Sequence, residues 1–327
     1  MCYVRNIVLA CAVLYAASSF AETKSKSAKE AAAERLARKG RAEEAVKIYK
    51  ELLNEDQGNA AIVSALAELQ AKLGRYNEAA ALYAALFTKK VRKLRAQRQR
   101  GLSDEALHIY HKIDTMPHGN PRASVEVADA LMSAGKVDWA RKELEKALSI
   151  DPGYADAYFY LGKNYQMKGD LRAAAGALEK AVELNPSNYY ARNNLGGLYM
   201  QMDRLDQATG QFTAAVEVKK DNALSHYNLA VVSVIKGRYP QAVKHLQDAL
   251  TYAPADMNAR GLLAIVYFEK LQDYRSALRV YERILSDKTD ITGREALAIQ
   301  ERIARCKEEI KKGGTSKSRN PDMGNRR

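Results

Sequence analysis

Cysteine is scarce in this 327-residue chain: there are three, and two of them, Cys2 and Cys11, fall in the first eleven positions. If a leader is removed, as argued below, Cys306 stands alone, and no intrachain disulfide can form even in an oxidising compartment. Strand signals are missing as well. Val, Ile and Thr do not alternate in short blocks, which excludes a β-sandwich or barrel, and Ala-rich helical patterns fill nearly everything. Glycines fall at helix turns and close-packing positions rather than in a phosphate-cradling loop, which excludes the nucleotide-binding signatures. The only long apolar run, residues 7–17, is shorter than the ~20 residues a membrane span needs. Acidic residues are absent from Lys89 to Arg100, where seven positive charges stand together.

That apolar run has its own logic. Arg5 precedes it, and Ser19-Phe20-Ala21 follows it before Glu22. A short basic start, an apolar stretch of about a dozen residues and small residues at the cut describe a secretory signal peptide over 1–21. The expected mature protein is therefore exported, periplasmic or secreted. A retained membrane anchor and a lipoprotein formed through Cys11 are the alternatives.

The rest of the chain is organised around residues 155–188. Tyr158, Leu161, Gly162 and Tyr165 recur at i, i+3, i+4 and i+7, on one face of a helix. Gly169-Asp170 breaks that helix. A second follows with Ala174, Leu178 and Ala181 inside, closed by Asn185-Pro186. Two such helices cannot bury their apolar faces alone, so neighbours are required. They recur in a 34-residue register: Leu195-Gly196, Tyr199, Ala208, Phe212 and Ala215 downstream, then Leu229-Ala230, Gly237, Ala242, Leu246, Ala249 and Pro254. Upstream, Val127-Ala128, Leu131, Gly135, Ala140, Leu144, Ala147 and Pro152 repeat the design.

This pattern resembles the tetratricopeptide repeat (TPR) family. The resemblance implies an all-α, right-handed α-solenoid of tandem helix-turn-helix repeats with a C-terminal capping helix. The expected division is TPR-like repeats over 22–93, a basic connector and degenerate half repeat over 94–120, and five repeats over 121–290. A capping helix over 291–312 and a disordered basic tail over 313–327 follow. Within the connector, Ala106, Tyr110 and Ile113 read as a second helix whose first helix is shortened. Nothing between Phe87 and Arg100 is Gly or Pro, so the helix entered at Asn77 is expected to run on, extended or kinked, past Arg100, the alternative being a basic loop that divides two repeat blocks. The last repeat carries one extra residue at Leu271-Gln272. The cap is expected to turn Leu297, Ile299, Ile303 and Ile310 inward, with Cys306 as a small core residue.

No catalytic constellation emerges, and no cofactor or metal is expected. His108, His111 and His118 with Asp114 approach a ligand set, but no Cys or second acid joins them, and they read as surface or turn histidines. His226 and His245 lie in different helices of one repeat without a nucleophile. Binding remains. The resemblance implies that the first helix of each pair lines a groove, and its groove positions fall on Phe159, Tyr160 and Lys163, then Tyr190, Asn193, Asn194 and Met200, then Tyr227 and Asn228. Tyr rings and Asn amides suit the backbone and side chains of an extended peptide. The chaperone-tail clamp of the family is not matched, because Leu224 and Tyr227-Asn228 stand where further cations would be.

Charge divides the chain. The net +13 comes mostly from Lys89–Arg100 and from 311–327, whereas 121–290 carries 22 basic and 21 acidic residues. A near-neutral body argues against a nucleic-acid groove along the repeats. Lys89, Lys90, Arg92, Lys93, Arg95, Arg98 and Arg100 form the alternative contact, to an anionic membrane surface or acidic polymer. Nucleic acid ranks below these, since no aromatic residue is interleaved with the cations. The partner's identity and the oligomeric state leave no mark in the sequence.

Overall fold

A computed structural model describes residues 27–56, 58–99, 101–287 and 292–313. The expected signal peptide, Cys2, Cys11, Arg100 and the tail beyond Gly313 lie outside the described residues. Every regular element among the described residues is helical, and the helices alternate in the first-and-second manner of an all-α solenoid. The chain divides into two compact units, ending and beginning at Gly169 and Asp170.

The first unit holds α1 (27–38), α2 (Ala42–Glu55), α3 (Ala60–Lys72), α4 (Tyr76–Ala96), α5 (Asp104–Asp114), α6 (Pro121–Ser133), α7 (Val137–Ile150) and α8 (Ala155–Met167). Helix starts follow local chemistry. Asn59, Ser103 and Asn120 accept from the first free N–H groups of α3, α5 and α6, and Pro121 opens α6 where no donor is needed. Helix α4 is long, at 21 residues. It packs against α3, then α5, then α6, so one helix serves a complete repeat and the degenerate one.

The expectation that α4 runs past Arg100 is corrected: it stops at Ala96. Arg98 adopts φ +56°, the left-handed conformation that Gly74 and Gly135 supply after α3 and α6. With it, the Gln99 N–H reaches the Leu94 carbonyl at 3.0 Å and the Arg98 N–H reaches that of Arg95 at 2.9 Å. That bond pair is the Schellman closure, made here without glycine.

The core of this unit runs through Phe87, Val91, Tyr110, Ile113, Val127, Leu131 and Leu144. Tyr110 stacks on Trp139 at 5.5 Å and donates its hydroxyl to Oε1 of Glu143 at 3.3 Å. Glu143 is only 2% exposed. Burial pushes its carboxyl above the ordinary 4.5, against the opposing pull of Lys146. In the window between 4.5 and that raised value, the folded state keeps a proton that the unfolded chain has lost. Stability should therefore fall as pH rises through this window. Urea midpoints measured across it should show the fall in the native chain, and Glu143→Gln should lack that component.

The second unit holds α9 (Leu171–Leu184), α10 (Tyr189–Gln201), α11 (Leu205–Val218), α12 (Ala223–Ile235), α13 (Tyr239–Tyr252), α14 (Met257–Ile265), α15 (Tyr274–Ser286) and α16 (Gly293–Lys311). Asn188, Asn222 and Asp256 cap α10, α12 and α14 at 34-residue spacing, so the register is written in the caps as well as the core. Gly196 lies against the fully buried Phe212 ring, the small-against-large contact that joins α10 to α11. The extra residue of the last repeat is absorbed as a π-turn over Val266–Lys270, closed by the Leu271 N–H on the Val266 carbonyl and by Gln272 at φ +53°.

Helix α16 starts on a reciprocal Thr292–Glu295 capping box. Cys306 is fully buried against Ala277, Tyr281 and Ile284, with Ile299 and Ile303 beside it. Leu297 departs from expectation: it is 62% exposed and faces away from that contact. No helix among the described residues is long and apolar enough to cross a membrane.

Candidate functional site

In the first unit, α4, α6 and α8 lie along a cleft of about 700 Å³. Ala85, Thr88, Lys89 and Arg92 come from α4, and Arg122, Val125, Glu126 and Asp129 from α6. Tyr154, Asp156 and Tyr160 complete it. Because Val91 and Leu94 are buried, the helical period turns Arg92 outward, into this space.

The charges in the cleft are mixed. Arg122 pairs with Glu126 at 3.0 Å, and Lys163 approaches Asp129 at 3.4 Å. Arg92, from α4, and Asp156, from α8, make no hydrogen bond or ion pair among the described residues, although Asp156 lies within electrostatic reach of Arg122. Burial raises the Tyr160 phenol, so it stays a neutral donor. Lys163 sits over its ring at 4.6 Å and over that of Phe159 at 5.6 Å, and the two rings meet edge-to-face at 5.2 Å. An aromatic floor between unlike charges can hold a chain segment by stacking, hydrogen bonding and charge together.

Other cations of the basic stretch are locally engaged. Lys89 donates to the Gly58 carbonyl, Lys90 pairs with Glu105, and Arg95 donates to Ser133 Oγ at 3.2 Å. Arg92, Lys93 and Arg98 are exposed and without such partners among the described residues.

In the second unit, the groove positions fall on α10 and α12. Tyr190 is 59% exposed, its ring 4.1 Å from that of Tyr189, over which Lys219 sits at 4.9 Å. Asn194 donates to the Tyr190 carbonyl at 2.8 Å, which leaves its own oxygen available. Met200 is half-buried. Tyr227, also half-buried, packs on the core around Ala230 and Leu246.

Asn193 must be reassigned. It is buried, and its amide donates to the Tyr189 carbonyl at 2.9 Å and to Ser225 Oγ at 2.8 Å. Asn228 in turn donates to Asn193 Oδ1 at 3.3 Å. Two of the amides expected in the groove, Asn193 and Asn228, thus tie α10 to α12. A buried amide without partners would be costly, and Ser225 lies within reach.

Sequence reasoning overlooked the α6 side of the cleft, although the signal was present. Arg122, Val125, Glu126 and Asp129 occupy the second, fifth, sixth and ninth positions of the repeat beginning at Pro121, the same register that selected Tyr160 one repeat later. Leu224, 56% exposed at the second position of α12, matches Tyr190 at the second position of α10. His118, expected at the surface or in a turn, is in a turn but buried, and burial lowers its pKa to about 4.

Family models agree with this architecture. One described as TPR repeat matches residues 128–169, and one described as tetratricopeptide repeat matches residues 36–98, 165–230 and 234–303, more than half of the chain. No curated protein matches the sequence. Among solved structures, the crystal structure of MamA protein is 21% identical, covering 53% of this chain and 97% of that one with a TM-score of 0.46. PilF of Pseudomonas aeruginosa is 20% identical, covering 59% and 90% with a TM-score of 0.49. YrrB, described as a TPR protein with an unusual peptide-binding site, is 22% identical, covering 65% and 96% with a TM-score of 0.41.

Proposed function

This chain belongs to the tetratricopeptide repeat family, and on that premise we propose that it is an exported, non-enzymatic scaffold whose first-helix face grips a peptide segment of a partner protein. Arrays of this kind work as protein-interaction scaffolds. The finer reading is carried by the cleft of α4, α6 and α8, where Arg92 and Asp156, without a hydrogen bond or ion pair among the described residues, line the space with Tyr160. A segment bearing an acidic side chain toward Arg92 and a basic one toward Asp156 fits those walls, with an apolar or aromatic residue on Tyr160 and Val125. In the second unit, Tyr190, Asn194 and Leu224 offer a further contact row.

The test is partner capture from the native compartment with the wild-type chain and with two variants, Arg92→Glu/Tyr160→Ala and Tyr190→Ala/Asn194→Ala. Loss of the same partner with helicity intact supports the reading. An unchanged partner set in both variants contradicts it. The exposed, unpaired Arg92, Lys93 and Arg98 favour a second reading, docking to an anionic membrane surface. That contact should weaken steeply with salt, whereas a desolvated peptide grip should not.

Export rests on the basic start, the apolar stretch and the small residues before Glu22. The mature protein should begin at Glu22, as intact mass and N-terminal sequencing would show. A native chain that retains residues 1–21 contradicts cleavage.

A further inference from the structure

Two histidines that the repeat pattern leaves without a role converge in the second unit. His226 lies on α12, His245 lies on α13, and Asp248 follows His245 at i+3 on the same helix face. One ligand atom from each of the three falls within 4.8 Å of the others, the only such group of three among the described residues. We propose that His226, His245 and Asp248 form a binding site for a divalent transition-metal ion of the Zn2+ type, clamping the two helices of one repeat.

His226 carries the argument. It is 8% exposed, and its Nε2 lies 2.9 Å from the Lys220 carbonyl. A carbonyl oxygen can only accept, so the ring proton sits on Nε2 and the lone pair on Nδ1. That hydrogen bond is the outer contact by which metal-binding imidazoles are oriented. Nδ1 is buried without a hydrogen-bond partner among the described residues and lies 3.8 Å from Asp248 Oδ2. Tyr252 stacks on the His226 ring at 5.6 Å and fixes its plane. Nδ1 of His245 is likewise buried and without a hydrogen-bond partner among the described residues. Asp248 makes no hydrogen bond among the described residues and is part-exposed, so it can swing inward and leaves a fourth position open to water.

Donor chemistry selects the ion. Two imidazoles and one carboxylate suit Zn2+, Co2+ or Ni2+, whereas Ca2+ and Mg2+ prefer all-oxygen shells. Bonds of about 2.0–2.1 Å place tetrahedral ligands roughly 3.3 Å apart. Closure from the present separations, which lie within 4.8 Å, asks the ligand atoms to draw together by up to about 1.5 Å.

The test uses the untagged full chain with Zn2+ titrated against a chromophoric chelator, and with Co2+ followed by its visible d–d absorption. One ion per chain should bind, the thermal midpoint should rise with Zn2+, and Co2+ should give the intense bands of a low-coordinate site. His245→Ala should abolish the bands, and Asp248→Asn, which preserves shape, should weaken binding at least about tenfold. A His108→Ala/His111→Ala variant should bind like the wild type. Absence of stoichiometric binding would overturn the proposal. So would wild-type binding in folded Asp248→Asn together with His245→Ala, or loss confined to the His108/His111 variant.

Discussion

Phe212→Ala is expected to lose about 3–5 kcal/mol of folding stability, the range for removing a fully buried aromatic ring. The side chain is 0% exposed and fills the angle between α10 and α11. Its neighbour gives the prediction a sharper form. A Cβ placed on Gly196 would stand 2.6–2.9 Å from three atoms of the Phe212 ring, well inside contact distance. Gly196→Ala alone should therefore cost about 1–3 kcal/mol by overpacking. In a Phe212→Ala background the added methyl enters a vacated space, so the same change should cost little or stabilise. Urea unfolding of the two single variants and the double variant measures this coupling. Additive losses would mean that the two residues do not meet as described.

The second large effect belongs to the cleft. Arg92→Glu combined with Tyr160→Ala should weaken partner binding by about 2 kcal/mol or more, roughly thirtyfold, if the pair behaves as an interface hot spot. Arg92 is the cation of the cleft with neither a hydrogen bond nor an ion pair among the described residues, and reversing it places like charge beside Glu126 and Asp129. Tyr160 supplies the half-buried ring. Folding should change little from Arg92, which is exposed, and more from Tyr160, which packs on the core beside Leu161. Thermal midpoints must accompany the binding measurement, and Tyr160→Phe separates the hydroxyl from the ring.

The helix pairs were legible because each repeat states its geometry several times. Gly196 and Phe212 could be matched from sequence by the 34-residue register alone, and Asn188, Asn222 and Asp256 mark the same period at helix starts. The end of α4 was not legible. Helix termination is ordinarily announced by Gly or Pro, and Arg98 takes the left-handed conformation with neither, held by bonds to Leu94 and Arg95. The extra residue near Leu271 was visible as a count, but its conversion into a π-turn depends on packing around Val266 and Phe268.

The groove was legible in register and less so in partnership. Repeat position identified the face that carries Tyr160 and would have identified Glu126 and Asp129 as well. It could not reveal that Asn193 turns to Ser225, because that choice depends on the helix 32 residues further along the chain. Nor could spacing within one helix bring His226 to His245 and Asp248, which meet only when α12 and α13 fold together.

Hydrogen exchange of the chain alone and with its captured partner tests the proposed recognition face most directly. Binding should slow exchange along α4 around residues 85–92, along α6 from Arg122 to Asp129 and at the start of α8, while α5 and α7 change little. Protection confined to α5 and α7, with the cleft residues exchanging as before, would place recognition on the second helices and contradict the account.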